Sequence, residues 1–417
     1  MPPTFPPTRR RRAAVLLPVA LLATLAACSS DDDPADAEPA ASTEPAASTD
    51  TTEPTGATAM TPATDATEPT DATEPGDADA AAVAATRAMF APITADMPGC
   101  TVAASRSGEV VFADAVGAAR LDPAVPMTVE TVVDIGSTSK QFTATAVLLL
   151  AERGELDLDA PLSSVLGDLP AWADEPSIRQ LMHHESGIPD YISLLADRGF
   201  SLGEVTTDGD ALDALADVTE LDFEPGTSWA YSNSNYFLMG QVVLAVTGDD
   251  LGTFLADEVF GPLGLDMVMD PTAVIAEKAT SYEGDGDQRV VADSPWQQLG
   301  DGAIQTTPSQ LVRWASEYWS PELELTIDDR LDRASLAVGL PGDGVYGAGI
   351  FALDDDELGR VLRHSGGWGG FVTVFAVAPE WEVAIAATCT SPESGAALAS
   401  AGDPELELLR IWANTAT

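Results

Sequence analysis

One stretch constrains this chain more than any other: Asp134-Ile-Gly-Ser-Thr-Ser-Lys140, continued by Gln141-Phe-Thr-Ala-Thr-Ala-Val-Leu-Leu-Leu150. A small, turn-forming start runs into an apolar segment of good helix formers, and Glu152-Arg153-Gly154 stops it. The pattern predicts a helix from near Ser137 to Gly154. Ser137 and Lys140, three residues apart, then share one helical face. An amine kept neutral by burial can take a proton from such a hydroxyl without a histidine. The positive end of the helix lies beside the serine, where an oxyanion would form. The bland alternative is a capping serine beside a solvated lysine. Against it, the chain has only two lysines, Lys140 and Lys278, beside seventeen arginines, so lysine is not filling surface. An ammonium can give up its proton where a guanidinium cannot.

The N-terminus reads as export and tether. Arg9-Arg-Arg-Arg12 is a basic start, and the apolar run Ala13 to Ala27 is too short for a span of about 20 residues. It ends in Leu25-Ala26-Ala27-Cys28, which resembles the bacterial lipobox. That resemblance implies a signal peptide over 1–27, cleavage before Cys28 and diacylation of its thiol. Lipid would hold the protein on the outer face of the cytoplasmic membrane; an uncleaved anchor is the alternative. Residues 28–83 are rich in Ala, Thr, Pro and acids, and Thr64-Asp-Ala-Thr-Glu-Pro69 recurs as Thr70-Asp-Ala-Thr-Glu-Pro75. With almost no large apolar side chain, this segment cannot offset its chain entropy and is expected to be a disordered tether. A folded domain is expected over 84–417.

The net charge of −48 sets electrostatic repulsion against nucleic acid and anionic membrane as partners. Hydrophobic residues make up 45%, enough for a sizeable core. An Ala-rich helix is expected at 78–93, followed by strands Cys100–Ala104 and Glu109–Val116 joined through Arg106-Ser-Gly108. Residues 155 to about 340 read as helices and loops, with Tyr236–Val246 apolar nearly all round and therefore buried. Strand-like runs return at Val345–Phe351, Arg360–Arg363, Phe371–Val377 and Val383–Ala387, and Leu406–Asn414 closes as a helix. Strands at both ends predict one antiparallel sheet built from the two termini, with an inserted helical lobe.

Two further motifs join the first. Tyr231-Ser232-Asn233 offers a phenol and a carboxamide on one side of a loop. The phenol can carry a proton if neighbouring cations lower its pKa, and the amide can hold a substrate carbonyl or the lysine. His364-Ser365-Gly366-Gly367, at a strand end, would let a substrate backbone approach, with the Gly367 amide free to donate to an oxyanion.

Together, Ser-x-x-Lys, Tyr-x-Asn and His-x-Gly resemble the serine β-lactamase and penicillin-binding protein superfamily. Their order and spacing are similar to its class C β-lactamase, D-alanyl-D-alanine carboxypeptidase and esterase branch. The flanks Leu181-Met-His-His-Glu-Ser-Gly-Ile-Pro-Asp-Tyr191 and Gly300-Asp-Gly-Ala-Ile-Gln-Thr-Thr307 are also similar, the first placing His184 on the family histidine. The resemblance covers roughly residues 80–415.

The resemblance implies a β-lactamase/transpeptidase-like α/β sandwich, a five-stranded antiparallel sheet flanked by helices plus a helical lobe. It implies Ser137 as acylated nucleophile, Lys140 as proton acceptor or electrostatic partner and Tyr231 as general base and acid. Asn233 would orient substrate, the amides of Ser137 and Gly367 would form the oxyanion hole, and His364 and Gly366 would stand at the substrate. In the implied sheet the first strand lies against the last, which pairs Cys100 with Cys389 in a disulfide. Histidine in the place of the third-motif lysine removes a fixed charge for a β-lactam or peptide carboxylate, so slow β-lactam turnover at most is expected. The implied activity is amide or ester hydrolysis at the cell envelope, of D-alanyl-D-alanine carboxypeptidase, D-aminopeptidase or esterase type. The partner would be a small-molecule or peptidoglycan-stem-like substrate. No metal or other cofactor is expected, since three histidines without a Cys/His cluster suit no zinc site, and nothing in the sequence assigns an oligomeric state. No Gly-x-Ser-x-Gly supports a Ser-His-Asp hydrolase. The rival to an enzyme is a cell-surface binding or sensor module that kept the pocket.

Overall fold

The computed structural model describes residues 77–414 apart from 277, 332–335, 337–343 and 400–402. The signal peptide, Cys28 and the tether up to residue 76 lie outside the described residues. The first helix, α1 (Asp77–Phe90), begins inside the stretch assigned to the tether, so the ordered part starts before residue 84.

The sheet holds β1 (Cys100–Arg106), β2 (Glu109–Val116), β3 (Val345–Tyr346), β4 (Phe351–Asp355), β5 (Gly359–Trp368), β6 (Phe371–Ala378) and β7 (Val383–Cys389). Their spatial order is β3-β4-β5-β6-β7-β1-β2, and every pairing is antiparallel. Seven strands replace the expected five. The Val345–Phe351 run, expected as one strand, folds back at Gly347-Ala-Gly349, so that Tyr346 pairs with Phe351. The strand expected at Arg360–Arg363 continues through the whole His-Ser-Gly-Gly motif to Trp368.

The central strands are buried except at Val372, and their side chains divide between two cores as period-two alternation requires. Val383, Ile385 and Ala387 pack into one core, with Trp412 from helix α2 (Pro404–Ala413). Trp412 stacks on Phe112 at 5.2 Å and donates its indole N–H to Thr86 of α1 at 3.1 Å. Ala384 and Ala386 face the larger core, which includes the helical lobe. First and last strands meet in register at Cys100 and Cys389, which form a disulfide with Cα atoms 4.1 Å apart.

The Ser-x-x-Lys stretch is a 3-10 turn, Gly136–Ser139, running into the helix Lys140–Glu152. Every residue from Lys140 to Leu150 is buried. Each large apolar side chain among them stabilises the fold by about 1.5–3 kcal/mol. The polar ones are satisfied. Gln141 accepts from the Trp314 indole at 2.6 Å and the Tyr318 hydroxyl at 2.8 Å, and donates to the Thr138 carbonyl at 3.0 Å. A buried, hydrogen-bonded helix of this kind is a rigid mount for the residues at its start.

Candidate active site

Ser137 is the partly exposed residue in a run of buried ones. Two glycines put strand β5 against it. A Cβ on Gly366 would stand 1.9 Å from the Ile135 carbonyl oxygen, and one on Gly136 only 2.7 Å from the Gly367 nitrogen. Gly136 also has φ +51°, which favours glycine. Any larger side chain at either place would push the strand off the turn. Gly366, expected at the substrate, is thus buried in this contact. Gly367 is exposed and lines the cavity beside Ser137.

Lys140 Nζ stands 3.0 Å from Ser137 Oγ and 2.8 Å from Asn233 Oδ1, and bonds the Asp301 main-chain carbonyl. Its burial is complete, and burial pulls the ammonium pKa down to about 8 against the opposing pull of Asp301 and Asp190. Asn233 opens the buried helix Asn233–Thr247, and its amide is spent twice. Its oxygen takes Lys140, while its nitrogen donates to Asp190 at 2.9 Å. Asp190 in turn caps the helix Tyr191–Asp197, accepting from the Ile192 N–H at 3.0 Å. The Tyr191 hydroxyl donates to both oxygens of the Asp301 carboxylate, at 3.3 and 3.2 Å. Burial raises the Asp301 pKa to about 6, with Lys140 opposing.

The Tyr231 phenol hydrogen-bonds to Ser137, and its ring centroid lies 5.0 Å from Lys140 Nζ. The sequence reading needed neighbouring cations to lower its pKa. Burial instead pushes it well above 10, with the Ser137 bond opposing. Tyr231 is a neutral phenol here. His184 stacks 4.3 Å behind it and accepts at Nδ1 from the Asn235 amide at 3.0 Å, so the proton of its neutral ring is on Nε2.

His364 departs from its expected place at the substrate. Its Nδ1 bonds the Ser365 carbonyl at 2.6 Å, which can only accept, so Nδ1 carries the proton and Nε2 accepts from the Tyr346 hydroxyl at 3.1 Å. Neither nitrogen is left for substrate. Burial, aided by Lys140, lowers its pKa to about 3, so the ring is neutral. Tyr346 also accepts at its main-chain oxygen from His183 Nδ1 at 2.9 Å, and its ring lies 4.6 Å from that of His184. All three histidines of the chain therefore converge on Tyr346.

A cavity of about 170 Å³ opens beside Ser137, lined by Asp134, Asn233, Asp301, Gly367 and, as a wall, the edge-on pair Trp296 and Trp368 at 5.4 Å. Neither Tyr231 nor His364 lines it. Asp134, Asp190, Asp301 and Tyr346 were not picked out as site residues from the sequence. Asp190 had a local signal, an aspartate at the mouth of a short helix. Asp134 is held locally, in the turn before Ser137, whereas Asp301 and Tyr346 reach the site through tertiary packing.

The turn, lysine, phenol and amide assembled around Ser137 define the serine-lysine class of site. The chain belongs to the beta-lactamase family, whose model matches residues 86–409. It is 31% identical over 287 residues to the D-aminopeptidase of Brucella anthropi, a match covering 66% of this chain and 52% of that protein. It is 25% identical over 302 residues to penicillin-binding protein 4* of Bacillus subtilis, covering 66% of this chain and 64% of the other. The matched part is thus about half to two thirds of the length of these curated relatives. The fold is similar to that of D-amino acid amidase from Ochrobactrum anthropi SV3, with TM-score 0.65 and 22% identity over 82% of this chain and all of the other. It is likewise similar to an octameric penicillin-binding protein homologue from Pyrococcus abyssi, with TM-score 0.67 and 22% identity over 81% and 80% of the two chains.

Proposed function

We propose that the protein is an acyl-serine hydrolase that cleaves amides of amino-bearing acyl groups, of the D-aminopeptidase or D-amino acid amidase kind. One observation carries the chemistry. Two of the three groups around Lys140 Nζ, the Asn233 amide oxygen and the Asp301 carbonyl, can only accept. Once the ammonium that now donates to Ser137 Oγ at 3.0 Å gives up that proton, they hold the two remaining N–H bonds and the freed lone pair faces the Ser137 hydroxyl. Lys140 is therefore the first proton acceptor, since Tyr231 would have to become a buried phenolate to do the same.

The Ser137 oxygen then attacks the carbonyl, with the amides of Ser137 and Gly367 facing the oxyanion. Lys140 returns its proton through the Tyr231 phenol to the departing amine, leaving an ester on Ser137. Water, deprotonated by the same pair, cleaves that ester and restores the serine. The leaving group must depart toward Tyr231, so the cavity, which Tyr231 does not line, receives the acyl part.

The acidic lining favours an amino-bearing acyl group over the anionic substrates of a carboxypeptidase. The Asp301 carboxylate stands at the cavity wall, held by the Tyr191 hydroxyl and a backbone N–H, with lone pairs left for a substrate ammonium. The neutral, fully engaged His364 offers no charge for a substrate carboxylate. The name of the D-aminopeptidase relative supports this choice. The Arg9–Arg12 start and Cys28 support lipid anchoring outside the cytoplasmic membrane.

A fluorophosphonate probe and a substrate panel test the proposal. Ser137 should be labelled, and D-aminoacyl para-nitroanilides should be cleaved faster than an N-acylated D-alanyl-D-alanine or a cephalosporin. Labelling without any aminoacyl cleavage would refute the substrate class. No labelling at all would leave a binding module.

A further inference from the structure

The second lysine of the chain has no part in the chemistry above, yet it lines the same cavity. Lys278 is fixed through its backbone: it bridges Val132, and the next amide, of Ala279, donates to the Val132 carbonyl at 2.9 Å. This places it beside the short strand Val133–Asp134 that leads to Ser137. Among the described residues its ammonium forms no ion pair and no hydrogen bond, whereas the arginines do form ion pairs, among them Arg289 of the neighbouring ribbon with Glu393.

Ser294 supplies a second unused donor. Strands Tyr282–Glu283 and Val290–Val291 pair, and the Ala292 N–H to Ser281 carbonyl bond at 3.0 Å extends the ribbon toward the cavity. Lys278 and Ser294 sit on its two arms, and both line the cavity. The Ser294 hydroxyl oxygen is buried without a hydrogen-bond partner. A buried donor left unmatched is costly, and an anionic acceptor entering the cavity would satisfy it together with the ammonium. Asp134 lines the same cavity and feels the Lys278 charge, but its carboxylate bonds the Gly136 N–H at 2.8 Å and makes no ion pair with the ammonium.

We propose that Lys278 and Ser294 form an anion subsite in the acyl cavity, which selects acyl groups bearing a side-chain carboxylate. The inference rests on the acyl-serine, amino-acyl reading above and narrows it. With Asp301 at one wall for the amino group and Lys278 at another for the carboxylate, the cavity fits an acidic amino acid as the acyl donor. An N-terminal D-glutamyl or D-aspartyl residue has this chemistry.

The test compares α-linked D-glutamyl and D-glutaminyl para-nitroanilides, equal in shape and different in charge, with the D-alanyl compound as reference. The wild-type protein should favour the glutamyl over the glutaminyl compound by about tenfold in kcat/KM, the scale of one charge-assisted contact. Lys278→Met should bring the ratio to about one or below, chiefly through KM, and Lys278→Arg should keep most of it. A wild-type ratio at or below one, or a ratio that Lys278→Met leaves intact, overturns the subsite while D-alanyl cleavage upholds the aminoacyl reading. If no anilide is cleaved but Ser137 is labelled, the aminoacyl reading fails, and the subsite is judged by protection. D-glutamate should then slow labelling more than D-glutamine, and equal protection refutes it.

Discussion

Ser137 lies between two unlike walls. On one side Asn233, Asp190, Asp301 and Tyr191 form a chain of charged and amide groups that ends on Lys140. On the other, Tyr231, Tyr346 and the three histidines form a buried aromatic cluster in which burial keeps the two phenols and the His184 and His364 rings neutral. The first wall competes with burial for the lysine's proton and leaves its pKa near neutrality, at about 8. In the second, burial meets no opposing charge, so the Tyr231 and Tyr346 phenols and the His184 and His364 imidazoles hold fixed protonation states. The difference teaches a division of labour: one wall decides when a proton moves, the other holds the groups through which it moves.

The sharpest break is at the junction. Ser137→Ala should abolish fluorophosphonate labelling and lower kcat roughly ten-thousandfold or more, as loss of a nucleophile does.

Breaking the polar wall comes next. Lys140→Arg keeps a cation but cannot offer a lone pair, and should cost about a hundred- to a thousandfold in kcat/KM. The wild-type rate should climb with pH through about 8, because the neutral amine is the active form and is lost as pH falls below that value. The arginine variant should show no such climb; a rate that is flat in the wild type would mean that Lys140 is not the base.

Separating the walls is a smaller insult. Gly366→Ala forces a methyl to within 1.9 Å of the Ile135 oxygen, so strand and turn must part. Overpacking of this kind costs about 1–3 kcal/mol in denaturant unfolding, and the labelling rate should fall with it.

The mildest change is in the aromatic wall. Tyr346→Phe leaves His364 Nε2 without its donor, an unmet buried acceptor worth about 1–3 kcal/mol of stability. The ring then becomes easier to protonate, and a new ionisation should enter the acid limb of the pH–rate profile. An unchanged profile would reduce Tyr346 to packing.

The polar wall was partly legible in the sequence. Ser137 and Lys140 are one turn apart, and Asn233 opens a helix two residues after Tyr231, so local spacing alone brings each pair together. Tyr346 was hidden because it lies in a run that reads as one plain strand, and only the back-folded edge aims its hydroxyl at β5. The same fold-back hid the extra strands. Asp301 lies in the Gly300–Thr307 flank, but an aspartate after glycine has no periodicity to mark it as buried. His364 was assigned to substrate by its motif, whereas the partner that turns it inward lies eighteen residues upstream.

The Cys100–Cys389 bond closes a span of 289 residues that includes the nucleophile, the helical lobe and the His-Ser-Gly-Gly strand. A protease that clips any surface loop within it therefore releases nothing. The two pieces stay joined and co-migrate until a reductant is added, so damage to the lobe would be invisible on a non-reducing gel.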